Sequence, residues 1–313
     1  PDRPGASLAG RPPTVVILGG GFAGLRAALT VARRARPGEC TVALVDRNAE
    51  HVNPAWLYEV ATAFNPFERE AVGKVLHESA SVPFERILRG SGIVFLKKSV
   101  ERVDLVRRAV SFTTGEHLKA DMLVFALGCQ LADFNVPGVA TNAFSIKTLH
   151  EAVELRYHLV RQFLAHRSAS RERQRRAFSV AVVGGGSAGV ELAGELALFL
   201  RKLARLHRID EGVPQVFLLE GSETILREYP PALRAKARAR LQKLGVDIRT
   251  GQSVCAVAAD HLACQGGEQV SADTVVWLAG VRTHDLLLRL GAPVHPRGGL
   301  PVEPTLELSG FTG

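Results

Sequence analysis

The sequence predicts an α/β protein of two Rossmann-like, three-layer dinucleotide-binding domains, each carrying a β-meander insertion. Three observations predict it. A glycine loop joins a buried strand to a helix at Gly19 to Gly24, the arrangement returns at Gly184 to Gly189, and in both halves the next strand ends in an acid. The run Val15-Val16-Ile17-Leu18 is apolar and mostly β-branched, the pattern of a parallel strand buried on both faces. It breaks into G-x-G-x-x-G at Gly19, Gly21 and Gly24, with Gly20, Phe22 and Ala23 between them. The first glycine makes the turn, the second lets a pyrophosphate approach the backbone, and the third lets helix and strand pack closely. The pyrophosphate sits on free N–H groups at the helix start. Pro37-Gly38 stops that helix, and the strand Thr41 to Asp46 ends in an acid about 20 residues beyond the loop, where a ribose hydroxyl needs an acceptor. Glycine-rich turns also serve α/β units that bind no nucleotide, but the order strand, loop, helix, strand, acid favours a dinucleotide.

A chain of 313 residues is long enough for two domains with their own cores. Hydrophobic residues make up 46% and charged residues 22%, which excludes general disorder. The net charge of +8 favours anionic partners (a dinucleotide, an anionic membrane surface or nucleic acid), and charge alone does not choose among them. No apolar stretch is long enough to span a bilayer and no signal-peptide pattern opens the sequence. Residues 1–13 read as a flexible tail, and a proline at position 1 fits a processed or partial chain. Cys40, Cys129, Cys255 and Cys264 form no C-x-x-C pair and read as reduced thiols; no metal site is expected.

After Asp46 and Arg47, Asn53-Pro54 marks a turn or helix start, followed by a short aromatic-rich helix. His51 and Tyr58 there are candidates for function, against the plainer reading of a packed helix. A helix is expected over Phe67 to Ser79. From Gly92 to Gly128 the pattern turns to short β segments, Ile93 to Leu96, Val100 to Asp104, Ala109 to Phe112 and Met122 to Ala126, ending at Ala126-Leu127-Gly128. Asn135 to Gly138 reads as a linker and Ser145 to Leu164 as a helix. Arg161 to Arg176 is strongly basic and fits a solvated helix end and loop, or a patch for phosphate or a membrane surface.

The scheme then repeats. Phe178 to Val183 is a second buried strand, followed by Gly184-Gly185-Gly186-Ser187-Ala188-Gly189, a helix through Leu203, and a strand Gln215 to Leu219 ending at Glu220. A meander from Val254 to Val270 leads to Thr274 to Gly280. The 165 residues between Gly19 and Gly184 are too many for a solenoid period and suit two nucleotide-binding domains. Two such sites are most economically a flavin and a nicotinamide that reduces it. A dinucleotide-binding redox sensor is the non-enzymatic alternative.

The motifs resemble those of the two-dinucleotide flavoproteins, most closely type II NADH:quinone oxidoreductases. The resemblance rests on Val45-Asp46-Arg47 with His51, Pro54 and Leu57 to Thr62; on Ile146 to Leu149; on Gly184 to Leu196; and on Trp277 to Arg282. It covers roughly residues 14–313. It implies FAD bound by the first domain and NADH by the second, with hydride transfer to the flavin and two electrons delivered to a quinone. The second domain is then inserted in the first: residues 14–145 and 283–313 form the FAD-binding part, residues 146–282 the NADH-binding part. Gly19, Gly20, Gly21, Phe22, Ala23, Gly24, Asp46, Arg47, Ala126 and Gly128 are the implied FAD contacts. Gly184, Gly186, Ser187, Gly189, Glu220 and Gly280 are the implied contacts of the second domain. Helix Leu57 to Thr62 is implied beside the flavin on its quinone side. Glu191, placed by the sequence in the first turn of its helix, is the implied acid–base residue near the nicotinamide–flavin junction, and Glu195 one turn on reads as packing or solvated. Glu220 at a strand end favours NADH over NADPH.

Relatives continue past the matched region with a strand to a Gly-Asp pair that contacts the flavin, and then an amphipathic membrane segment. Firm FAD retention and peripheral membrane association are expected to depend on those parts. Where relatives carry Ala-Thr-Gly this chain has Ala126-Leu127-Gly128. The absence of cysteine from residues 47–70 argues against disulfide reduction. Sulfide:quinone and ferredoxin or rubredoxin reductase-like activities are the enzymatic alternatives. No nucleic-acid partner is expected, homodimerisation is open, and the implied location is the cytoplasm or the cytoplasmic face of the inner membrane.

Overall fold

The computed structural model describes residues 11–64, 77–295 and 298–311. Residues 67–76 of the helix expected over Phe67 to Ser79 lie outside them, as do residues 1–10 of the expected tail. The chain divides into two compact units. The first comprises residues 1–51, 82–130 and 282–313, and the second residues 52–81 and 131–281.

In the first unit, β1 (Thr14–Leu18) is a central strand of a four-stranded parallel sheet. It lies between β2 (Thr41–Asp46) and β7 (Met122–Phe125), with β3 (Val94–Lys97) outside β2. Because β1 is covered on both faces, its alternate side chains enter two cores. Val15 and Ile17 pack with Ala28 of α1 (Phe22–Arg34) and with Phe84. Val16 and Leu18 pack with Val110 and Phe112, beneath the antiparallel sheet β4 (Val100–Asp104), β5 (Ala109–Phe112) and β6 (His117–Lys119). Helix, parallel sheet and antiparallel sheet make three layers. The segment expected as the first strand of the meander is instead β3 of the parallel sheet, with Leu44 level with Phe95 and Val45 with Leu96.

The second unit repeats the plan with one more strand. Its parallel sheet runs β8 (Ala143–Phe144), β15 (Thr274–Trp277), β9 (Val180–Val183), β10 (Val216–Glu220), β11 (Val246–Thr250). All four residues of β9 are buried: Val180 and Val182 pack with Leu192 and Leu196 of α5 (Ser187–Leu206), and Ala181 and Val183 on the other face with Leu262 and Val270. The latter belong to the antiparallel sheet β12 (Val254–Val257), β13 (His261–Cys264), β14 (Gln269–Ser271). β11 and the helix before it, α6 (Pro231–Lys243), occupy a stretch the sequence pattern leaves unassigned. The short helix α2 (Leu57–Thr62) belongs to this unit, where Leu57, Val60 and Ala61 join the core of α5 and α3 (Leu149–His166).

Two further boundaries differ from expectation. α3 starts at Leu149, not Ser145, because Thr148 and Glu151 form a capping box that fixes the first turn. The Glu151 carboxylate also accepts from Lys147 N and Ser145 Oγ, which holds those residues outside the helix. The basic segment expected to end in a loop contains a second helix, α4 (Arg171–Ala177), started by the Ser170 side chain accepting from Arg173 N. Among the described residues no helix is long and apolar enough to cross a membrane.

His158 of α3 lies 2.9 Å from Thr274 Oγ1 and stacks obliquely on Phe144. Burial, and then the Arg161 charge, lower its pKa to about 4, against the opposing influence of Asp273. A histidine held neutral in the folded state gives stability that is full above its unfolded pKa of 6.5 and is lost as pH falls towards 4. With allowance for its partial exposure, the wild type is expected to lose about 2 kcal/mol more stability than His158→Gln between those limits. Urea denaturation across that pH range checks it.

Candidate functional site

Each unit carries a glycine loop where its central strand ends. In the first, Gly19 has φ +102°, which a side chain rarely adopts, and a β-carbon there would lie 2.4 Å from the carbonyl oxygen of Ala126. A β-carbon on Gly24 would lie 1.8 Å from the carbonyl oxygen of Gly19, and one on Gly20 would lie 2.3 Å from the Phe84 ring. Gly21 differs: nothing stands within 4 Å of the space its side chain would fill. Gly184, Gly189 and Gly186 repeat this pattern. Gly184 has φ +115°, a β-carbon on Gly189 would lie 1.8 Å from the Gly184 oxygen, and nothing stands within 4 Å of the space a side chain on Gly186 would fill. Neither α1 nor α5 has a side-chain cap or an acid in its first turn. Their leading amides therefore remain available to an anion beside the open glycine. A diphosphate fits both cradles.

The acids at the strand ends are tied to these loops. Asp46 accepts from Gly20 N at 2.6 Å and from Asn48 N at 2.8 Å. Glu220 accepts from Gly185 N at 2.6 Å, and from both the backbone N and Oγ of Ser222 at 2.8 Å. Each carboxylate thus holds the loop preceding it and stays at the strand end, half-buried. His51 Nδ1 donates to the Gly20 carbonyl at 2.9 Å, and its ring meets Phe22 and Phe84 edge-on. It supports the loop from outside.

The remaining predicted residues fall as follows. Phe22 and Ala23 open α1 with Phe22 60% exposed, Ser187 opens α5 exposed, and Arg47 is exposed after β2. Ala126 backs Gly24, and Gly128 follows with φ +69° and open space around it. Gly280 has φ +68° and is covered by the Phe134 ring. Glu191 is exposed and is the fifth residue of α5, so it lies beyond the first turn in which the sequence places it. Tyr58 of α2 lies in its electrostatic reach. Burial first, then the carboxylates of Glu191, Glu59 and Glu195, push the Tyr58 hydroxyl above its ordinary 10. Cys40 is half-buried, Cys264 is buried, and Cys129 and Cys255 are exposed; none is in a disulfide.

Phe84, Ser222 and Ile225 shape the loops without having been singled out from the sequence. Ile225 lies beneath Gly185 as Phe84 lies beneath Gly20. Only Ser222 leaves a local signal, a hydroxyl two residues after the acid.

Two Rossmann-like units of the same plan, each with its own open glycine cradle, place the chain in the class of two-dinucleotide folds. Residues 13–312 match the family model of pyridine nucleotide-disulphide oxidoreductases, and the chain belongs to that family. It is 27% identical over 300 residues to the type II NADH:quinone oxidoreductase of Staphylococcus aureus, covering 95% of this chain and 71% of that protein. Among solved structures it is similar to NDH2 from Plasmodium falciparum in complex with NADH, with a TM-score of 0.77 and 18% identity over 91% of this chain and 60% of that one. It is also similar to the sulfide:quinone oxidoreductase of Aquifex aeolicus, with a TM-score of 0.73 and 19% identity over 93% of this chain and 64% of that one. The chain thus spans about 60% of the length of the first of these structures.

The two kinds of glycine predict two outcomes. Gly189→Ala forces a methyl into the Gly184 carbonyl and is expected to lower stability by roughly 1–3 kcal/mol. Gly186→Ala meets nothing and is expected to stay within about 0.5 kcal/mol of wild type while weakening dinucleotide binding. Thermal melts and NADH titration of the pair separate packing from binding.

Proposed function

We propose that the protein oxidises NADH and reduces a quinone, with FAD in the first unit and NADH in the second. The observation that carries this reading is the pair of open, uncapped helix starts, one in each unit, within a family of pyridine nucleotide enzymes. The name of the S. aureus relative and the NADH in the P. falciparum structure support the donor and the acceptor. Flavin supplies a carrier that takes two electrons from a hydride donor and passes them on. The chain's own residues do the rest. Gly21 and the start of α1 receive one diphosphate, Gly186 and the start of α5 the other, and Asp46 and Glu220 accept from the ribose hydroxyls. Gly20, Phe22, Ala23, Arg47, Ala126 and Gly128 complete the first site, and Ser187 and Gly280 the second. Because Glu220 is fixed at the strand end by Gly185 and Ser222, its charge opposes a 2′-phosphate. NADH is expected to exceed NADPH in kcat/KM by at least about tenfold, from roughly 1.4 kcal/mol of discrimination.

Reducing a quinone to a quinol takes up two electrons and two protons, whereas NADH gives up two electrons and one proton. The second proton comes from water, and we assign its delivery to the Glu191 carboxyl, which is open to solvent. Work on a lipid-borne quinone places the protein at a membrane surface, on the cytoplasmic side where NADH is available. Glu191→Gln in FAD-loaded protein is expected to retain FAD and the fold but to slow NADH:quinone turnover on the order of tenfold or more. Steady-state kinetics check it, and turnover and both KM values within about twofold of wild type would make Glu191 structural.

A further inference from the structure

The basic segment read from the sequence finds a use the dinucleotide chemistry does not absorb. α4 holds four arginines in seven residues, and beside it a cleft of about 470 Å³ opens between this helix, β10, β11 and β14. Arg173, Arg175 and Arg176 line it from α4, Arg249 from β11, Phe217 from β10 and Gln269 from β14. The volume falls within the range of sites for small organic ligands. Its lining takes Gln215 and Phe217 at the start of β10 and Arg249 from β11, and includes no residue of the glycine loop Gly184 to Gly189.

Three of the arginines are held in place. Arg173 and Arg176 both pair with Asp273, Arg176 through Nε at 2.9 Å, and Arg176 also lies 3.6 Å from Asp260. Arg249 bonds Asp247 at 2.9 Å and Glu268 at 2.7 Å, and its guanidinium lies 5.0 Å from the centroid of the Phe217 ring. Such pairs fix each planar fork before a ligand arrives and leave further N–H groups for it. They also neutralise three of the four charges. Arg175 has no ion pair among the described residues and is exposed. Arg176 already complements the end of α4, so the helix dipole does not require Arg175. Glu172 is the one acid in the lining, and Asp260, Asp247 and Glu268 stand close behind.

That charge pattern suits a single phosphate and opposes a polyphosphate, which would meet the surrounding carboxylates. The Arg249–Phe217 stack offers a platform for a planar ring, and the Gln215 and Gln269 amides offer both donors and acceptors to its edge. We infer that this cleft binds a nucleoside monophosphate, its phosphate on the arginines of α4 and its base on the Arg249–Phe217 stack.

Equilibrium dialysis of the whole chain against AMP, adenosine and inorganic phosphate tests it. The variants are Arg175→Glu, which disturbs no pairing, and the double substitution Gly21→Asp with Gly186→Asp, which crowds both glycine cradles. AMP is expected to bind saturably with Kd below about 1 mM. Arg175→Glu should weaken it at least about tenfold, the glycine variant should retain it, and adenosine and phosphate should each bind at least about tenfold more weakly. Absence of saturable AMP binding, or binding lost with the glycines and kept in Arg175→Glu, overturns the site. Inorganic phosphate binding as tightly as AMP overturns the nucleotide assignment and leaves a simple anion pocket.

Discussion

In each unit the helix that follows the glycine loop begins so close to the strand before it that a β-carbon on the third glycine would lie 1.8 Å from the carbonyl oxygen of the first. No side chain fits there, and the contact fixes where the helix axis points. The uncapped leading amides of α1 and α5 follow directly on Gly21 and Gly186, where nothing stands within 4 Å of the space a side chain would fill. Because the helix lies so near the sheet, alternate strand residues can fill one core on its side and a second core under the antiparallel layer. The identical distance in both units shows that the two halves solve one packing problem in one way.

The acids extend that constraint. A loop with φ beyond +100° at its first glycine needs support, and Asp46 and Glu220 provide it by accepting from the amide of the very next residue. A carboxylate has more acceptor sites than these bonds use, so holding the loop and accepting from a ribose are compatible. Ser222 takes up a further share of Glu220, whereas Asp46 makes a backbone contact with Asn48 instead. Holding the loop in shape before binding lowers the ordering cost that a dinucleotide meets on arrival.

What the sequence makes legible follows from how local each signal is. The central strands and both loops are contiguous patterns, and they stand where the pattern places them. β3 carries the sequence Val-Phe-Leu-Lys with its ends exposed, so it looks like a meander strand, and only its pairing with β2 makes it part of the parallel sheet. α6 buries only Leu241 in thirteen residues, which leaves no apolar stripe to read. Phe84 reaches Gly20 from 64 residues away, a contact that no spacing rule anticipates. The position of Glu191 turns on one residue: Gly186 is the cap, so the helix counts from Ser187 and the acid falls past the first turn.

The same helices contribute to the charge that composition alone could not assign. α1, α5 and α6 have no acid in their first turns, and basic residues fill their last turns: Arg33 and Arg34, Arg205, and Arg240 with Lys243. The positive helix starts of α1 and α5 lie at the glycine loops, where an acid would compete with a phosphate at the proposed sites. The negative helix ends are met by arginine and lysine, each worth about 0.3–1 kcal/mol. Acids withheld from one end and bases added at the other both raise the net charge and contribute to the excess of +8. At α1 and α5 the local excess of base over acid thus follows from leaving the helix start uncapped while the helix end is complemented.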